Sequence, residues 1–253
     1  MKIMKYYQEK LETQGAMLFS LIDPDKMSLE KGAKVAKQSC ENGADVILVG
    51  GSIGAQGSLL DETIKMIKEA SNLPVVLYPG SPAGLSKEAD AVYFMHMLNS
   101  RDVYWLSTAQ IQAAPVVKRM GIEPIPTTYL IIEPGRAVGW IGNSNLVPRE
   151  RSDLAAACTL AAKYTGSTVF ITDAGSGAPQ PTPNKMIKAI SEQKGSMYHF
   201  NAGGIRTPEA AADSIKYGAD GIHVGNAFEE VENTDKIKKI ADAVHKEGKK
   251  RLK

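Results

Sequence analysis

Short apolar runs alternate along this chain with longer stretches whose apolar residues recur at helical spacing. The first run is Met17-Leu18-Phe19-Ser20-Leu21-Ile22, and Asp23-Pro24 closes it, because a proline keeps the preceding residue out of helical geometry. Behind Ser28, a candidate N-cap, the residues Leu29, Gly32, Ala33, Ala36 and Cys40 follow a helical period. The same alternation predicts strands at 46–49, 75–78, 91–94, 127–132, 168–172, 197–200 and 221–224. Helices are expected near 59–70, 108–120, 154–164, 184–192, 208–216 and 227–246. Eight strands interleaved with helices predict a parallel sheet. At 253 residues the economical closure is an α/β fold of the (β/α)8 TIM-like barrel type, with a doubly wound open sheet as the alternative.

Two connections break the alternation. Residues 81–90 are too short and too Pro/Gly-punctuated for a helix, so the barrel is expected to be modified between strands three and four. Residues 133–149 form a long Gly/Pro-rich stretch, a length at which loops are functional or disordered. Neither reads as a linker, so residues 1–253 are expected to form one domain. A faint echo joins Gly43-Ala44-Asp45 to Gly218-Ala219-Asp220, with Ala-Asp again at 89–90; each marks a helix end, a turn and a strand start.

Composition narrows the field. Hydrophobic residues make up 43% and charged residues 23%, enough for a large core without disulfides. A net charge of +2 from 30 basic and 28 acidic residues gives no nucleic-acid footprint. No run of about 18 apolar residues predicts a transmembrane segment, and the start has no apolar region of the signal-peptide kind. Cys40 and Cys158 read as buried, reduced thiols of a cytoplasmic protein. The basic tail 246–253 reads as a frayed, solvated end.

In barrels of this kind the chemistry lies at the C-terminal ends of the strands. There the sequence delivers Asp23 and Asp25, then Gly50-Gly51-Ser52, Gly80-Ser81, Asp173-Ala174-Gly175-Ser176-Gly177, Gly203-Gly204 and Gly225-Asn226. The glycine pairs after the last two strands match the usual place of a barrel phosphate site, where backbone can approach an anion; plain turn glycines are the competing reading. Asp23 is the candidate metal ligand, with Ser52 as a hydroxyl neighbour, for a hard cation such as Mg²⁺ that also takes phosphate oxygens; a turn aspartate before proline competes with it. Asp173 is the candidate general base. His96, His199, His223 and His245 lack metal-site spacing, and His199 and His223 read as barrel filling. No nucleophile elbow or P-loop is present.

These residues resemble a known family. Leu21-Ile22-Asp23-Pro24-Asp25-Lys26, Val49-Gly50-Gly51-Ser52, Pro79-Gly80-Ser81-Pro82-Ala83-Gly84-Leu85-Ser86, Leu98-Asn99-Ser100-Arg101-Asp102, Glu133-Pro134-Gly135 and Gly203-Gly204-Ile205-Arg206 are similar to stretches of archaeal geranylgeranylglyceryl phosphate synthases and their bacterial heptaprenyl relatives. The resemblance runs from about Leu18 to Glu229. It implies a Mg²⁺-dependent prenyltransferase on a modified TIM-like barrel, joining the C3 hydroxyl of sn-glycerol 1-phosphate to geranylgeranyl diphosphate in membrane-lipid synthesis. It further implies Asp23 and Ser52 as holders of Mg²⁺. Ile171, Thr172, Asp173, Ala174, Gly175, Ser176 and Gly177, with Gly203, Gly204, Gly225 and Asn226, are implied to bind glycerol phosphate. The chain departs from the family's usual Tyr-Leu-Glu by having Ile171-Thr172-Asp173, which shortens the acid and removes an aromatic.

The prenyl tail needs an apolar groove, for which the gap between strands three and four and the Tyr104-Trp105 stretch are candidates. A phosphate-anchored isomerase and a non-catalytic phosphate-binding barrel are the rival readings. A homo-oligomer is the expected assembly.

Overall fold

Each apolar run becomes a strand, and parallel pairing in chain order closes the eight strands into a barrel. In this computed structural model, which describes residues 2–51, 53–228 and 234–252, the strands are β1 Met17–Ile22, β2 Val46–Gly51, β3 Val75–Pro79, β4 Ala91–Met97, β5 Glu123–Ile131, β6 Val169–Asp173, β7 Tyr198–Ala202 and β8 Gly221–Val224. The helices are α1 Ile3–Gln14, α2 Leu29–Glu41, α3 Gly57–Ala70, α4 Ala109–Met120, α5 Arg136–Ile141, α6 Ser152–Tyr164, α7 Asn184–Gln193, α8 Pro208–Lys216 and α9 Thr234–Lys250. None of them is long and apolar enough to cross a membrane.

The strand period of two separates two cores. Inward residues such as Met17, Phe19, Leu48, Tyr93 and Phe200 fill the barrel, while Leu18, Ile47, Val75 and Ile222 face the helices. Ser28 caps α2 as expected, its Oγ accepting from the Lys31 amide. The buried stripe of α2, however, is Gly32, Val35, Ala36 and Ser39. Cys40 and Cys158 are free and only half-buried, which corrects the expectation of fully buried thiols. The last helix starts at Thr234 rather than 227, and residues 229–233 lie outside the described residues.

α1 was not expected. Its Tyr7 is fully buried and closes the N-terminal end of the barrel, edge-on to Phe19 and Phe200 at 5.4 and 5.8 Å. The first turn of α1 has no cap of its own. The Glu123 carboxylate supplies one from the start of β5, accepting from the Ile3 amide at 2.5 Å.

The sequence echo has a physical meaning at this same end. Asp45, Asp90 and Asp220 each turn a carboxylate oxygen back onto the amide of a neighbouring strand's start: Leu18 at 2.9 Å, Val75 at 2.8 Å and His199 at 2.8 Å. Each also holds a cation from the helix layer, Lys10 for Asp45, Lys68 for Asp90, and both Lys194 and Arg251 for Asp220.

The expected modification is present. Between β3 and β4 the chain makes only a single 3₁₀ turn, Pro82–Gly84, so the β3 unit has no helix to lie over this side of the barrel. The long stretch 133–149 is ordered and contains α5. The Asn-Ser-Arg-Asp motif after β4 straps it down. Asn99 Nδ2 donates to the carbonyls of Ile131 and Asn145, Ser100 Oγ to that of Gly142 at 2.6 Å, and Arg101 to Asn145 Oδ1 at 2.7 Å.

Candidate active site

Strand ends bring Asp23, Asp173 and the terminal glycines to one rim. β1 stops at Asp23 because Pro24 cannot continue it. The Asp23 carboxylate is 7% exposed and ion-paired with Lys26. Burial pushes its proton affinity above the usual carboxylate value, Lys26 opposes the shift, and the neighbouring Asp25 adds to it. Asp25 hangs over the end of β2, where a Cβ at Gly51 would lie 2.8 Å from its Oδ1. Two hard oxygen donors therefore face the same mouth. Ser52, the other expected metal ligand, lies outside the described residues. Among the described residues no group of three or more His, Cys, Asp or Glu side chains could hold a metal ion, so a cation at Asp23 would need oxygens from its substrate or from water.

From this mouth a furrow of about 300 Å³ runs outward. Its walls are apolar and come from three places. Tyr78 and Pro79 end β3 and Leu85 follows the 3₁₀ turn, Val92 and Phe94 belong to the outer face of β4, and Trp105, Ala109 and Ala113 to the turn and helix that follow. The furrow opens here because no helix lies between β3 and β4. Val138 and Ile141 of α5 complete the rim.

Beside the furrow lies a smaller cradle, lined by Ser176, Gly177, Gly203, Gly204, Gly225 and Asn226. Ser176 Oγ donates to Asn226 Oδ1 at 2.8 Å, which ties the loop after β6 to the end of β8. Glycine is required at 203: φ is +77°, and a Cβ would stand 2.5 Å from Asp173 Oδ1. Gly175, at φ +94°, is likewise packed against the Gly135 carbonyl.

Asp173 borders both spaces. Its carboxylate accepts from Tyr129 Oη at 2.5 Å and from the Gly175 amide at 2.6 Å. Burial raises its proton affinity, and these two donors pull it back.

The structure thus gathers Asp23, Asp173, Ser176, Gly177 and the Gly203-Gly204 and Gly225-Asn226 pairs. It does not bring Ile171, Thr172 or Ala174 to the cradle. Strand alternation turns Ile171 into the barrel core. Thr172 faces outward, where its Oγ1 pairs with His199 Nε2 at 2.9 Å, and Ala174 is fully buried. The sequence reading missed Tyr78 and Tyr129. Both are inward residues close to the C-terminal ends of their strands, the position from which such barrels take their chemistry.

A closed (β/α)8 barrel with a glycine-lined cradle after its last two strands and an apolar furrow at the same rim defines the class: a TIM-type barrel in which two unlike spaces meet at one buried carboxylate. The chain belongs to the PcrB family, whose model matches residues 9–244. It is 45% identical to the geranylgeranylglyceryl phosphate synthase of Thermococcus kodakarensis over 97% of this chain and 96% of that protein. It is 44% identical to that of Methanosarcina mazei, covering 96% and 99%. The crystal structure of (S)-3-O-geranylgeranylglyceryl phosphate synthase from Thermoplasma acidophilum in complex with substrate sn-glycerol-1-phosphate superposes with a TM-score of 0.94 at 33% identity, over 97% of this chain and 99% of that one.

Proposed function

We propose that this protein transfers the geranylgeranyl group of geranylgeranyl diphosphate to the C3 hydroxyl of sn-glycerol 1-phosphate. The allylic C–O bond to diphosphate breaks, the ether C–O bond forms, and the hydroxyl proton passes to a base. The observation that carries this reading is the place of Asp173 between two unlike spaces, one glycine-lined and one apolar. A phosphate-anchored isomerase has no use for the furrow.

In this reading the cradle holds the phosphate of glycerol phosphate and so fixes its hydroxyl near Asp173, the base. Proximity of this kind removes much of the entropic barrier. The furrow takes the isoprenoid tail at about 0.8 kcal/mol per buried methylene and keeps water from the allylic carbon. Asp23, with Asp25 alongside and Ser52 by family position, would hold Mg²⁺, the remaining positions being filled by diphosphate oxygens and water. When bound there, it would offer positive charge to offset that of the departing diphosphate.

The test is incubation with radiolabelled sn-glycerol 1-phosphate, a series of prenyl diphosphates and Mg²⁺. A lipid-extractable phosphate product is expected with the C20 donor; none with any donor would sink the proposal. A finer expectation concerns Tyr129, whose hydroxyl lowers the proton affinity of Asp173. Tyr129→Phe removes that donor, so the acid limb of the kcat/KM profile should move to higher pH, with less than about a tenfold loss on the alkaline plateau. An unmoved limb would separate Tyr129 from the base.

A further inference from the structure

The floor of the cradle contains a histidine that the proposed reaction does not use. His223 points inward from β8, paired in register with Phe19 of β1 and Ala202 of β7. It lines the cradle and is 4% exposed. Neither ring nitrogen has a hydrogen-bond partner. The other strand histidine, His199, does find one in Thr172. Burial drives the His223 pKa down to about 3, so the ring is neutral and offers one N–H donor and one acceptor.

As filling, this is a costly choice. An unsatisfied buried polar group costs about 1–3 kcal/mol, and a valine or leucine would avoid it. The ring sits among Phe19, Phe200 and Tyr93, at 4.8, 5.5 and 5.9 Å between centroids. These neighbours set its orientation and leave it no partner. Tyr78 lies 5.5 Å away ring to ring and borders the same cradle. A cradle floor with an unsatisfied imidazole suits a ligand with more hydroxyls than the one that reacts.

Register says where that ligand lies. Asp173 pairs with Ala202, and Ala202 with His223, so the three stand side by side at one level of the barrel. Between the acid and the histidine is only a methyl group. A three-carbon alcohol whose reacting hydroxyl is at Asp173 and whose phosphate is in the cradle crosses this gap with its middle carbon. We infer that His223 is the specificity-determining partner of the non-reacting C2 hydroxyl of glycerol phosphate, an inference that rests on the reaction proposed above.

The experiment compares sn-glycerol 1-phosphate with 3-hydroxypropyl phosphate, which keeps the reacting hydroxyl and the phosphate but lacks the C2 hydroxyl. The wild-type protein is expected to prefer glycerol phosphate about tenfold in kcat/KM, the value of one neutral hydrogen bond. His223→Val should abolish that preference while leaving kcat/KM for 3-hydroxypropyl phosphate within about twofold. A variant that keeps the full preference, or loses both substrates alike, overturns the inference. A second measurement needs neither the variant nor turnover: the ¹⁵N imidazole resonances of His223 in the full chain should shift when sn-glycerol 1-phosphate is added. No shift at saturation overturns the inference. A shift without any ether product would leave it standing and remove the proposed reaction instead.

Discussion

Asp173→Asn is expected to lower kcat by about 10²–10⁴-fold, the contribution of a positioned general base, with much smaller changes in either KM. Asparagine keeps the shape and can still accept from Tyr129 or the Gly175 amide, but it cannot take the hydroxyl proton. Stability should move the other way. Burial raises the Asp173 proton affinity above the usual 3.8, so the folded protein binds this proton more tightly than the unfolded chain does. The cost of ionising it appears as pH rises through the window between the ordinary and the raised value, and it persists above that window. Asparagine has no such cost. The Tm of the variant should therefore gain on the wild type between acid and neutral pH. Parallel melts at several pH values check this, and radiolabel turnover checks the rate; a wild-type kcat would remove Asp173 as the base.

Asp23→Asn is expected to reduce turnover by about 10²–10³-fold, the scale on which loss of a preorganised electrostatic group is felt, and to raise the Mg²⁺ concentration needed for half-maximal rate. Its carboxylate is buried at the groove mouth, next to a second carboxylate and against Lys26. An amide there neither holds a divalent ion nor balances the lysine. Because burial also raises the Asp23 proton affinity, the fold should again not weaken at neutral pH. A Mg²⁺ titration of initial rates reads the effect, and an unchanged rate and midpoint would take Asp23 out of the metal site.

Much of this architecture is legible in the sequence because parallel strands buried on both faces leave unbroken apolar runs. The missing helix after β3 is visible as Pro79-Gly80-Ser81-Pro82, and the strand-start aspartates are visible as a repeated Ala-Asp. β5 is a partial failure with a clear cause. Pro124 and Pro126 argue against a strand, yet β5 starts at Glu123. Its first four residues pair only with β4, and β6 joins from Thr127 onward, so the side without a ladder tolerates the prolines.

α1 was invisible for a different reason. Of its 12 residues only Ile3 and Tyr7 are buried, too few to show a helical period, and the carboxylate that caps it is 120 residues away.

The structure brings together at one rim the residues that the sequence offers by type: Asp23, Asp173 and the paired glycines. The rim was misread where chemistry depends on which face a side chain presents. Thr172 sits between two inward residues and points out, whereas Tyr78 and Tyr129 look like ordinary strand aromatics until the barrel closes around them.

The furrow beside β4 has a consequence for the protein as a material. With no helix between β3 and β4, Val92 and Phe94 line the furrow, so under the proposed reaction a chain of isoprene units lying there would serve as a removable part of the hydrophobic interior. Heat resistance then becomes a property of the loaded molecule more than of the empty one, and it should climb with each added five-carbon unit until the guest outgrows the trough.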